Sequence, residues 1–94
     1  MTHFIVTYSY LNAPDALDEV RPEHRAYLRT LADRGLLVAS GPFTDEGPSG
    51  AGLIFQADSV DEVTAALADD PFQREGLLLS SEVRTWNPVI GIFA

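Results

Sequence analysis

The sequence predicts an α+β fold of ferredoxin-like type, β-α-β-β-α-β with an antiparallel four-stranded sheet. Three observations lead there: four segments carry strand character, two stretches with helical periodicity separate them, and each boundary holds Gly, Pro, Asn or Asp. In that order both crossovers turn right-handed, and both helices fall on one face of the sheet. A chain of 94 residues closes one hydrophobic core, so residues 1–94 read as a single domain.

Residues 3–10 are aromatic and β-branched and end at the turn cluster Asn12, Ala13, Pro14, Asp15, which marks the first strand. From Arg21 to Arg34 the apolar positions Val20, Tyr27, Leu28 and Leu31 recur at helical spacing; Pro22 suits the first turn and Gly35 the stop after the last. Residues 36–43 and 51–57 read as strands joined by the Gly- and Pro-containing loop 44–50, a hairpin. Ser59 and Glu62 form a capping-box pattern for a second helix, with Val60, Val63 and Leu67 on its inner face and its end before Pro71. Residues 72–76 make a short turn or a single helical turn, and 77–86 form the last strand, closed by Asn87 and Pro88.

Both faces of the sheet need cover: Phe4, Val6 and Tyr8 point one way, while Ile5 and Thr7 point the other. Two helices shield one face only, so the open face is expected to meet a second copy in a homodimer. The apolar tail 89–93 either docks on that partner or frays.

Composition narrows the chemistry. At 46% hydrophobic and 21% charged residues the chain is globular rather than disordered. Fourteen acids against six bases give a net charge of −8, which repels nucleic acid and anionic membranes. The six cations are all Arg, so no lysine serves as a Schiff-base or P-loop residue. Without Cys there is no disulfide, thiolate nucleophile or Cys-ligated metal. With no long apolar run and no basic leader, a cytoplasmic location is expected.

Within these limits His24 stands out, because it lies four residues after Val20 and four before Leu28 and so shares the stripe facing the sheet. The plain structural alternative is a core histidine bonded to backbone. Asp70 follows Leu67 by three and extends the inner stripe of the second helix, against the unfavourable end of the helix dipole, so something should compensate it; alternatively it caps a turn before Pro71. With both helices on one face, the two side chains can meet as a His–Asp dyad in which the carboxylate fixes the imidazole tautomer. Arg21 offers a guanidinium to a substrate anion, or is a solvated charge. Ser40, Gly41, Pro42 and Phe43 offer close backbone approach and an apolar wall, or ordinary turn chemistry. Tyr8, Phe72 and Trp86 line the same cavity or belong to the core. His3 has only one other His to pair with, so no metal site is expected.

The ordered set Arg21-Pro22-Glu23-His24, Ser40-Gly41-Pro42, Asp70-Pro71-Phe72 and a final strand ending in Trp86 resembles the YciI-like (YCII-related) family over nearly the whole chain. That resemblance implies a dimeric α+β barrel of ferredoxin-like protomers and a site built on the His of the first motif and the Asp of the third, here His24 and Asp70. One branch of the family is similar to a dehydrochlorinase acting on a chlorinated hydroxyquinol, and related dimeric barrels include muconolactone isomerases and cofactor-independent oxygenases. The chain departs from many relatives in its short loop 44–50 and its all-Arg cation set.

The leading functional reading is a cofactor-independent enzyme of lyase or isomerase type, in which His24 removes a proton from a small aromatic or enolisable substrate. The competing readings are a non-catalytic dimeric module that binds a small ligand or acts as an accessory or regulatory partner, and a cofactor-free oxygenase. No cofactor is expected for any of them.

Overall fold

The computed structural model describes Met1–Ala94. Four strands, β1 (Thr2–Tyr10), β2 (Leu37–Pro42), β3 (Gly50–Ala57) and β4 (Leu78–Trp86), form one sheet in the order β2-β3-β1-β4. Every neighbouring pair is antiparallel. Helices α1 (Pro14–Asp33) and α2 (Val60–Ala68) cover one face, and the single turn α3 (Pro71–Arg74) leads into β4. The topology is thus the ferredoxin-like one that the order of patterns predicts.

Strand alternation decides what each face carries. Phe4, Val6 and Tyr8 of β1 lie opposite Phe55, Leu53 and Ala51 of β3, and all six are buried beneath the helices. Leu28 and Leu31 of α1 and Val63, Ala66 and Leu67 of α2 complete that core. Ile5 and Ile54 pair on the other face and are only half-buried. At the β2 edge the register slips between Leu37 and Ala39, so that Leu37 faces Phe55 but Ser40 and Pro42 face Leu53 and Ala51. One extra residue reverses the side-chain alternation, and this slip turns Ser40 and Pro42 toward the helices.

Three sequence expectations need correction. The first helix starts at Pro14, seven residues before Arg21, and Pro22 sits inside it rather than in its first turn. An interior proline costs one helical hydrogen bond and typically about 3 kcal/mol, yet Leu17 is buried with Phe72 and Leu77 and holds the early turns in place. Tertiary burial outweighs the local break. Val60 opens α2 and is exposed rather than inward-facing, whereas Ser59 does cap the helix by accepting the Glu62 N–H. Beyond β4 the tail turns back: the Phe93 ring lies 5.8 Å from that of His3 and 6.4 Å from that of Trp86, while Val89, Ile90 and Ile92 stay exposed. No helix is long and apolar enough to cross a membrane.

Gly35 stops α1 at φ 78° as its position predicts. Gly50 is required for a different reason, since a Cβ there would overlap the backbone carbonyl oxygen of Tyr8 on the paired strand. Gly50→Ala is therefore expected to lower unfolding stability by about 1–3 kcal/mol, whereas Gly41→Ala, with nothing within 4 Å of the added carbon, should stay within about 0.5 kcal/mol of the parent. Urea denaturation of the two variants checks this, and equal midpoints would contradict it.

Candidate active site

Asp70 does not belong to α2. The helix ends at its C-cap Asp69, and Asp70 adopts an extended conformation (φ −64°, ψ 126°) as the N-cap of α3. The capping role and the contact with His24 therefore coexist. The side chain is 0% exposed and collects three donors. Oδ1 accepts the Phe72 N–H at 3.0 Å and a bond from His24 Nδ1 at 2.7 Å; Oδ2 accepts the Tyr8 hydroxyl at 2.8 Å. A buried carboxylate loses several kcal/mol of hydration, and charge-assisted hydrogen bonds on both oxygens offset that loss. The compensation that the sequence demanded for Asp70 comes from three separate elements.

This arrangement assigns the imidazole tautomer. The carboxylate can only accept, so His24 Nδ1 carries a hydrogen, and the neutral ring has its lone pair on Nε2. The His24 ring stacks on Phe72, with centroids 3.9 Å apart and planes inclined by 6°, which fixes its orientation. Nε2 has no protein partner, while no buried side-chain nitrogen or oxygen in the structure lacks one; the free nitrogen therefore faces the cavity that His24 helps to line.

That cavity, about 420 Å³, lies between α1 and the β2 edge of the sheet. Of the residues singled out from the sequence, His24, Arg21, Tyr8, Phe72, Ser40, Gly41 and Pro42 line it. Asp70 does not line it and is linked to it through the hydrogen bond to His24. Tyr8 is 1% exposed and serves as the carboxylate's partner more than as a wall. Phe43 and Trp86 are corrections. The Phe43 ring lies over Gly50 and Gly52, 3.5 Å from where each Cβ would be, on the sheet face away from the helices. Trp86 pairs with His3, and their rings meet edge to face on that same side. Strand parity excludes both from the cavity. No three His, Asp or Glu side chains cluster as a metal site.

Sequence reasoning missed the polar lining residues Tyr10, Arg25 and Arg29, along with the apolar remainder of the wall from Leu28, Ala32, β2 and β3. The signal for the two arginines was present: Arg21, Arg25 and Arg29 recur every four residues, beside the His24–Leu28 stripe. Burial raises the Tyr10 phenol above its ordinary pKa, with nearby Arg21 and Arg25 opposing the shift and Asp70 adding to it. Burial and then the Asp70 charge raise the Tyr8 phenol far more, so it remains a neutral donor.

The fold and the buried pair place the chain among the dimeric α+β barrels. It belongs to the YCII-related domain family, whose model matches residues 1–87. Among solved structures it is similar to the 5-chloro-2-hydroxyhydroquinone dehydrochlorinase of Burkholderia phenoliruptrix AC1100 in complex with 2,5-dihydroxybenzoquinone, at 26% identity and a TM-score of 0.79, covering 90% of this chain and 93% of that one. A cofactor-independent oxygenase of Streptomyces nogalater shares the fold at 16% identity and a TM-score of 0.55, covering 97% of this chain and 95% of that one. A NIPSNAP family protein of Agrobacterium tumefaciens C58 is similar at 27% identity and a TM-score of 0.58, covering 94% of this chain and 92% of that one. No curated protein matches in sequence.

Tyr8→Phe removes the donor to Asp70 Oδ2 and is expected to cost about 1–3 kcal/mol of stability. The raised Tyr8 pKa also gives a sign: above 10.0 the unfolded chain releases a proton that the folded one keeps. Stability from this group is thus complete below that pH and is lost as the pH climbs through the folded-state value. Urea unfolding followed on both sides of pH 10.0 should show the parent weakening in alkali and Tyr8→Phe weakening less; parallel curves would contradict the assignment.

Proposed function

We propose that the protein is a cofactor-independent enzyme of lyase or isomerase type, in which His24 Nε2 acts as general base on a small hydroxylated aromatic or otherwise enolisable substrate. The observation that carries this reading is the single free imidazole nitrogen facing a cavity while its other nitrogen is held by a fully buried carboxylate. Nε2 takes a proton from an acidic carbon or phenol, and the electron pair left behind forms an enolate. In a lyase that pair expels a leaving group on the neighbouring carbon, and the imidazolium then releases its proton to solvent. In an isomerase the imidazolium returns the proton at a second carbon. Asp70, held by Tyr8 and Phe72, stabilises the imidazolium throughout, and Ser40 on the opposite wall offers a hydroxyl to the developing oxyanion. The likeness to a dehydrochlorinase supports the lyase form.

Chloride release from 5-chloro-2-hydroxyhydroquinone is the first assay. His24→Ala and Asp70→Asn are each expected to lower kcat/KM by roughly 10²–10⁴-fold with the circular dichroism spectrum retained. Turnover that survives in both would reject the dyad, and ligand binding without turnover in the parent would favour a binding module.

The same reading includes a homodimer through the open sheet face, supported by the Ile5–Ile54 pair at its centre and by half-exposed Phe43 and the aromatic group of His3, Trp86 and Phe93. Ile54→Arg should convert the dimer to a monomer in sedimentation velocity; a monomeric parent, or an unchanged sedimentation coefficient, would count against this interface.

A further inference from the structure

The cavity wall on α1 carries a charge pattern that the dyad does not use. Three of the six cations, Arg21, Arg25 and Arg29, line this one cavity in a chain of net charge −8. Arg21 is occupied by Asp18 one turn earlier. Neither Arg25 nor Arg29 pairs with any of the fourteen carboxylates, although acids outnumber bases more than two to one. On the outer side the same three arginines, with Asp18 and Pro22, frame a second hollow of about 340 Å³ that has no hydrophobic lining residue. The two spaces share their arginines. One holds the His24 base among Leu28, Leu37, Leu53 and Phe72; the other is lined by the three arginines, Asp18 and Pro22 alone.

The geometry points to an anion subsite formed by Arg25 and Arg29, so that the substrate is a small acid: one ring-sized apolar body beside His24, with a carboxylate directed to the arginine rim. The inference deepens the enzyme reading and rests on it for calling the ligand a substrate. Two features favour a carboxylate. A guanidinium presents paired donors in the fork that carboxylate oxygens match. Successive arginines four residues apart on a helix rise about 6 Å, which lets two forks converge on one small group at the cavity mouth. The acidic surface adds a reason for such a patch, because without local positive charge it would repel an anionic substrate from the site.

Benzoate and its neutral isostere benzamide are the probes, with affinity measured by NMR titration of the whole protein. The parent should bind benzoate roughly tenfold or more tightly than benzamide. Arg25→Gln combined with Arg29→Gln should bring benzoate down to the benzamide level and leave benzamide unchanged. Because both arginines are exposed, the double variant is expected to keep its fold, and an unchanged spectrum away from α1 verifies this. Equal affinity for the two probes in the parent, binding of neither, or a preference that survives the double substitution would overturn the subsite. His24→Gln should retain the benzoate preference, which separates the two ideas: turnover that survives loss of His24 rejects the dyad and leaves the anion subsite standing.

Discussion

A carboxylate with no exposure to solvent is the constraint around which this fold is organised. Asp70 accepts from Tyr8 on β1, from His24 on α1 and from the Phe72 N–H of α3. Removing any one donor leaves buried charge undercompensated, so the three elements are tied by an electrostatic requirement as well as by packing. Phe72 takes part twice, through its backbone at Asp70 and through its ring against the face of His24. The result is an imidazole whose tautomer and plane are set before any ligand arrives, the kind of preorganisation that general-base chemistry exploits.

The surroundings of that imidazole follow from strand parity. Tyr8 and Leu53 reach the helix side by ordinary alternation, whereas Ser40 and Pro42 reach it because of the slip between Leu37 and Ala39. A straight β2 would have turned those two outward. The same alternation gathers Ile5, Ile54, Trp86 and Phe43 on the other face, so one sheet separates the His24 cavity from an apolar and aromatic surface. Each face thus has its own chemistry, and a substitution on one need not disturb the other.

Electrostatics divides the helix-side site further. Asp70 is buried behind His24 and does not line the cavity, whereas Arg21, Arg25 and Arg29 do. Tyr10, whose phenol is raised by burial and countered by Arg21 and Arg25, also lines the cavity.

Much of this was legible in the letters. Element order, the Ser59 cap, the Gly35 stop and the inward placing of His24 all depend on spacing within a few residues, and a linear string preserves such spacing. The early start of α1 was not legible, because Leu17 buries against Phe72 and Leu77 from distant parts of the chain and this overrides the signal of Pro22. Phe43 and Trp86 looked like cavity walls as aromatic residues near motifs, yet register placed them on the opposite face. The sequence by itself determined the strand and helix order and the inward placing of His24, since local periodicity specifies these. Only the tertiary structure decided that Tyr8, 62 positions from Asp70, completes the carboxylate's shell and that Asp70 stays out of the cavity. Those outcomes depend on register and burial, which no local spacing encodes.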